Sequence, residues 1–156
     1  MKSVADDMFA PDAYPAAAAN GRLSYAIFLL ARAHRGYADR LLNEFGLQAG
    51  HEHILLSLYG RDGQSRSELL EFLGLDDPTI AEAIDCLVQV GAVRLETPSS
   101  SGSVYRVWLT DKGRAMQEPI RTISAKMEAS ALEVLGDRAT EFVATAKSIE
   151  DAIEHQ

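Results

Sequence analysis

Apolar positions along the chain fall into blocks whose spacing changes from helical to alternating and back. Leu23, Ile27, Leu30, His34, Tyr37 and Leu41 recur every three or four residues, the stripe of a long amphipathic helix. Asn20 is placed to cap it and Gly46 to stop it. Ile54, Leu55 and Leu58 mark the buried face of a short helix ending between Gly60 and Gly63. Ser65, Arg66, Ser67 and Glu68 open another, with Leu69, Leu70 and Leu73 inside and Gly74 as breaker. Asp76 or Asp77 caps the next helix, and Pro78 is tolerated in its first turn. Its apolar face is Ile80, Ile84, Leu87 and Val88, and Gly91 ends it.

The period then drops to two. Val93 and Leu95 predict a short strand, and Tyr105, Val107 and Leu109 a returning one, so residues 93–109 read as a hairpin around the Gly/Ser-rich loop 97–103. Asp111 onward is helical towards Leu135, with Pro119 a kink or early-turn residue. Gly136 and Asp137 punctuate, and Phe142, Ala146, Ile149 and Ile153 stripe a last helix suited to helix–helix packing. Residues 1–19, rich in Ala, Pro and Asp, predict a flexible N-terminal arm on which Phe9 and Tyr14 could dock to a neighbour. Residues 20–156 read as a single, mainly α domain without internal repeats.

The chain's 156 residues suit one domain. A net charge of −8 argues against general affinity for anionic nucleic acid or membrane surfaces, while leaving room for a local basic patch. Cys86 is the one cysteine, so no intrachain disulfide is possible. No leader-like run is present, and the apolar stretch at residues 26–31 is far shorter than the ~20 residues of a membrane span. These features predict a soluble cytoplasmic protein with no membrane partner.

Helix, helix-turn-helix, β-hairpin and long helices make a winged helix-turn-helix layout. Residues 47–113 resemble the MarR family of bacterial regulators. The marks are Ser67–Glu68–Leu69–Leu70, Leu73–Gly74–Leu75, Thr79–Ile80, Leu87 with Gly91–Ala92–Val93, and the run from Val107 through Trp108, Leu109, Thr110, Asp111 and Lys112 to Gly113. The resemblance implies a winged helix-turn-helix at about 47–113 with one β-hairpin wing, flanked by dimerisation helices at about 20–46 and 114–155. It also implies a homodimer, operator DNA held by the fourth helix and the wing, and response to a small aromatic or phenolic ligand.

Residue by residue, the implied DNA surface departs from the family pattern. The places of Glu82 and Cys86 often hold arginine in the family, and a wing-tip Asp-Arg pair falls here on Ser101 and Gly102. The outward positions of the fourth helix are Ala81, Glu82, Asp85, Cys86 and Gln89. Residues 47–110 hold four arginines (Arg61, Arg66, Arg94 and Arg106) against nine carboxylates, a net −5 where phosphates would approach. Since phosphate neutralisation carries most nonspecific affinity, DNA binding should be weak. The candidate DNA contacts are Thr79, Gln89, Arg61, Arg66, Arg94 and Arg106.

Candidate ligand contacts are His34, Tyr37, His51, Glu52 and Trp108, with Leu30 and Leu55 as apolar wall. His34 and Glu52 are the candidates for acid–base catalysis if the chain is an enzyme. Against this, His34 reads equally as a core histidine, and His51 and His53 as capping or solvent-facing groups. The two histidines sit two apart, on different helix faces, so they predict no shared metal. No metal or cofactor motif is present in the sequence. Cys86, beside Asp85 and Glu82, should have a disfavoured thiolate. Three functions stay open: a ligand-responsive transcriptional regulator, a winged-helix scaffold that has lost DNA binding and binds or transforms a small molecule, and a protein that antagonises a regulator by heterodimerisation.

Overall fold

The computed structural model describes residues 21–99 and 104–156. The expectations for the N-terminal arm, Asn20, Ser101 and Gly102 therefore lie outside the described residues. The chain divides into two compact units, Met1–Tyr37 and Ala38–Gln156, with the boundary inside the first long helix, α1 (Arg22–Leu42).

In the first unit α1 carries the expected stripe, but Leu23, Ile27, Phe28 and Leu30 are all exposed, and Phe28, 58% exposed, stacks on Tyr25 with ring centroids 6.3 Å apart. His34 is exposed as well, so it is not a core histidine within this unit.

The second unit holds the core. A 3-10 turn (Asn43–Phe45) ends at Gly46, whose φ of 70° is a left-handed cap that glycine adopts without strain. Next come α2 (His51–Gly60), β1 (Gln64–Ser65), α3 (Arg66–Leu73) and α4 (Asp77–Gln89). Then follow β2 (Val93–Glu96), β3 (Arg106–Leu109), α5 (Asp111–Ala115), α6 (Gln117–Leu135) and, after a second 3-10 turn, α7 (Ala139–Glu154). Leu42, Ile54, Leu55, Leu58, Leu69, Ile80, Ile84, Leu87, Val107 and Ile120 are fully buried. Helices α2, α3 and α4 thus close one core with β3 and the start of α6.

Local signals set the helix ends. At α3 the Ser65 hydroxyl accepts from the Glu68 N–H and the Glu68 carboxylate accepts from the Ser65 N–H, a complete capping box. At α4 the cap is Asp76, accepting from the Thr79 N–H, with Pro78 in the first turn. Two expected core positions are corrected. Val88 is exposed, and Ala83 takes its place on the buried face, because helical rotation carries position 88 outward. Leu95 is also exposed, so β2 buries only Val93.

The sheet has three antiparallel strands in the order β1-β3-β2, one more than the expected hairpin. Gln64 pairs with Val107, Val93 with Leu109, Arg94 with Trp108 and Glu96 with Arg106. The Gln64 side chain is buried and donates to the carbonyls of Ser57 and Arg61 at 3.1 and 2.7 Å, satisfying the C-terminal end of α2. The run after β3 is equally tight. Thr110 caps α5, its hydroxyl donating to the Gly91 carbonyl and accepting from the Gly113 N–H. Gly113 packs so closely that a Cβ there would lie 2.0 Å from the Ala92 carbonyl oxygen.

Helix α7 buries none of its residues; Phe142 is 44% and Val143 68% exposed, with Ile153 also open. Leu132 and Val134 of α6 are likewise uncovered. Among the described residues no helix is long and apolar enough to cross a membrane.

Candidate nucleic-acid interface

Helix α4 presents Thr79, Glu82, Asp85 and Gln89 to solvent. Thr79 is already occupied by its cap: its N–H and hydroxyl both donate to Asp76, at 2.9 and 2.7 Å. These bonds, from the Thr79 backbone first, hold the Asp76 carboxyl below the usual aspartate range. Cys86 donates weakly to the Gly46 carbonyl, and burial first, then Glu82, pushes its thiol up. That is the direction expected for a disfavoured thiolate, with burial as the larger cause.

All four candidate arginines are held by carboxylates of the same chain. Arg61 and Arg106 both reach Glu68, at 3.2 and 3.1 Å. Arg66 pairs with Asp77 across the turn between α3 and α4, and Arg94 pairs with Glu96 along β2. Arg106 also donates to the Gly63 carbonyl at 2.7 Å. Arg94 lies over the Trp108 ring, 5.8 Å from its centroid. Glu68 is held below the ordinary glutamate range, by the Ser65 backbone N–H first and by Arg61 and Arg106 after it. Two guanidiniums sharing one carboxylate leave this trio with one net positive charge, while the other two pairs are neutral.

Two further carboxylates among the nine of this region, Asp62 and Glu52, bond to backbone N–H groups of their own chain. Asp62 is held within the fold. Its Oδ1 accepts from the N–H groups of Gly63 and Leu109, each at 2.9 Å, and its Oδ2 accepts from Arg114 at 3.1 Å. It fixes the loop after α2 to β3 and α5. Glu52 is buried, 4% exposed, and accepts from the Gly50 N–H at 2.7 Å. Glu71, Asp76, Asp77, Glu82, Asp85 and Glu96 remain exposed.

The candidate ligand residues are divided between the two units. His34 and Tyr37 stand on α1 in the first unit. His51 and Glu52 open α2 in the second. There His51 Nδ1 accepts from the Gln48 N–H at 3.2 Å, and Glu52 lies 3.6 Å from His53 Nε2. Both therefore serve the first turn of the helix. Trp108 lies on the wing instead, lining a recess of about 280 Å³ with Glu96, Thr97, Pro98, Ser99 and Arg106; neither His51 nor Glu52 is part of that lining. Tyr105, three positions before Trp108, packs on the core.

Sequence reasoning missed Asp62, Gln64 and the double duty of Glu68. The signal for Glu68 was present in the Ser-x-x-Glu spacing. Asp62 had none, because its partners beyond the adjacent Gly63 lie 47 and 52 residues further on.

No family model matches the sequence, and no curated protein does either. Solved structures do. A MarR transcriptional regulator from Methanosarcina mazei Go1 shares 26% identity at a TM-score of 0.66, over 86% of this chain and 97% of that one. The PcaV transcriptional regulator from Streptomyces coelicolor, in complex with its natural ligand, gives 22% identity and a TM-score of 0.74 over 86% and 95%. Reduced AbfR bound to DNA gives 19% and 0.72 over 86% and 94%. The order of helices, the three-stranded sheet and these superpositions agree, and the chain has the winged-helix fold of the MarR-family transcriptional regulators.

Proposed function

We propose that the chain is a cytoplasmic, homodimeric regulator of transcription whose weak hold on operator DNA responds to a small aromatic ligand. The observation that carries this reading is the uncovered face of α4 beside the wing, in a fold shared with a protein solved on DNA. In this reading α4 enters the major groove with Thr79 and Gln89 towards base edges, and Arg66, Arg94 and Arg106 turn towards phosphates. The uncovered stripes of α1 and of α6–α7 supply the surface that a second copy buries. The ligand complex of PcaV supports the response to a small molecule.

Each arginine must leave a carboxylate of its own chain to meet a phosphate, and Glu82 and Asp85 repel the backbone throughout. Affinity should therefore be low and should fall as salt rises. The same observation favours a second reading, a winged-helix scaffold that has given up DNA and binds or transforms a small molecule.

Fluorescence anisotropy against the gene's own upstream DNA, at low and at physiological salt, separates the two. Binding at low salt that weakens as salt is raised supports the regulator. No binding at low salt overturns it and leaves the scaffold.

A further inference from the structure

We propose that the turn between α3 and α4 is a docking site for a basic amphipathic segment of another protein, with Phe72 and Leu75 as its apolar centre and Glu71, Asp76 and Asp77 as its rim. The inference goes beyond the regulator reading, since it holds whether or not the chain binds operator DNA.

Phe72 is 73% exposed, more than Phe28 or Phe142, and Leu75 is 38% exposed. Neither belongs to the stripes of α1 and α6–α7 that a second copy would bury. The chain reverses between them at Gly74, whose φ of 62° is left-handed, while Leu73 packs inward against the core. A single exposed apolar side chain is ordinary. An aromatic and a leucine on one tight turn, ringed by charge, have the make-up of a partner's anchor point.

The turn is also preformed. The Gly74 N–H donates to the Leu70 carbonyl at 2.9 Å, Asp76 caps α4, and Arg66 bridges to Asp77. A surface already held in place loses little freedom on binding.

Charge selects the partner. Residues 66–89 hold one cation, Arg66, against six carboxylates, and that cation is already paired with Asp77. Glu71, Asp76, Asp77, Glu82 and Asp85 are all exposed. Such a surface repels phosphate backbones and anionic lipid headgroups alike, and attracts lysine and arginine. An amphipathic segment supplies both complements at once. Apolar side chains at every third or fourth position cover Phe72 and Leu75, and basic ones beside them meet the rim.

The probe is a fluorescein-labelled helical peptide of lysine and leucine, with leucine at every third or fourth position. A peptide of the same composition in scrambled order controls for charge alone. Anisotropy is read at about 0.15 M salt, where long-range attraction to the acidic chain is screened. We expect saturable binding at a Kd of roughly 10–100 μM, with the scrambled peptide weaker by roughly fivefold or more. Phe72→Ser and Glu71→Lys, both at exposed positions and checked for their fold by circular dichroism, should each weaken binding by roughly fivefold or more. Glu128→Lys, the same charge change at an exposed position of α6, should leave it unchanged. No saturation, equal binding of the scrambled peptide, unchanged affinity in Phe72→Ser, or equal losses in Glu71→Lys and Glu128→Lys overturns the site. Conversion of a dimer into a monomer by Phe72→Ser, read by light scattering, assigns the patch to a second copy and overturns it likewise. DNA anisotropy on the same samples keeps the regulator reading separate. Peptide binding without DNA binding supports this site and removes the regulator, and DNA binding without peptide binding does the reverse.

Discussion

The ring of Trp108 lies directly on the backbone of Gly63: a Cβ built on Gly63 would stand 2.4 Å from the ring, closer than any real contact. The same glycine has a φ of +69°, which an L side chain rarely adopts. Gly63→Ala should therefore lose stability by about 1–3 kcal/mol, from backbone strain and displacement of the ring together. Denaturant titration gives the number. Made in a Trp108→Ala background, the same substitution should cost only the backbone share, so no cost in that background would show that backbone strain contributes nothing.

Tyr59 donates to the Gly113 carbonyl at 2.8 Å, tying α2 to α5. Burial pushes its hydroxyl up to about 12, with Arg121 opposing. The folded value is raised above the unfolded one, so its stability contribution is full below about pH 10 and is lost as pH rises towards 12. Tyr59→Phe should cost about 0.5–1.5 kcal/mol at neutral pH yet show a shallower alkaline decline. Thermal melts across the alkaline range check both, and parallel decline in the two proteins would refute the role.

Glu68 and Asp76 shift the other way. Both carboxyls are held below their ordinary values of 4.5 and 3.8 by capping hydrogen bonds from Ser65 and Thr79. Their contribution is present above those values and disappears as pH falls through the lower, folded ones. Melting temperature should therefore drop on acidification below about pH 4.5. The variant combining Glu68→Gln and Asp76→Asn, less stable at neutral pH, should flatten that limb. An unchanged acid slope would assign acid sensitivity elsewhere.

Phe142 and Ile149 lie on α7, a helix with no buried residue in the single chain. Phe142→Glu and Ile149→Glu should leave secondary structure intact and convert a dimer into a monomer, read by light scattering. A monomer in the unmodified protein would remove the dimer from the proposed function.

Much of the fold was legible because its signals are local. Ser65 with Glu68, Gly74, and Asp76 with Pro78 each state a helix end within four residues, and the Leu/Ile spacing of α2 and α4 marks the core. Non-local partners were not legible. Gln64 belongs to a two-residue strand, too short to show a period. Val88 and Leu95 match the apolar pattern in type, yet their exposure depends on how far neighbouring elements reach. The arginines could be counted in the sequence, but their capture could not, because Arg106 meets Glu68 across 38 residues. His51 and Glu52 have the chemistry of a ligand site, and each also accepts a backbone hydrogen bond from the turn leading into α2, which sequence spacing alone did not reveal.

Glu68 closes the capping box of α3 and also restrains Arg61 and Arg106. Replacing it would release two guanidiniums at once and undo a helix start in the same step. Tighter hold on DNA is thus coupled to a weaker fold at this position, and an evolutionary path towards stronger binding runs more easily through Glu82 and Asp85, which are exposed and cap no helix.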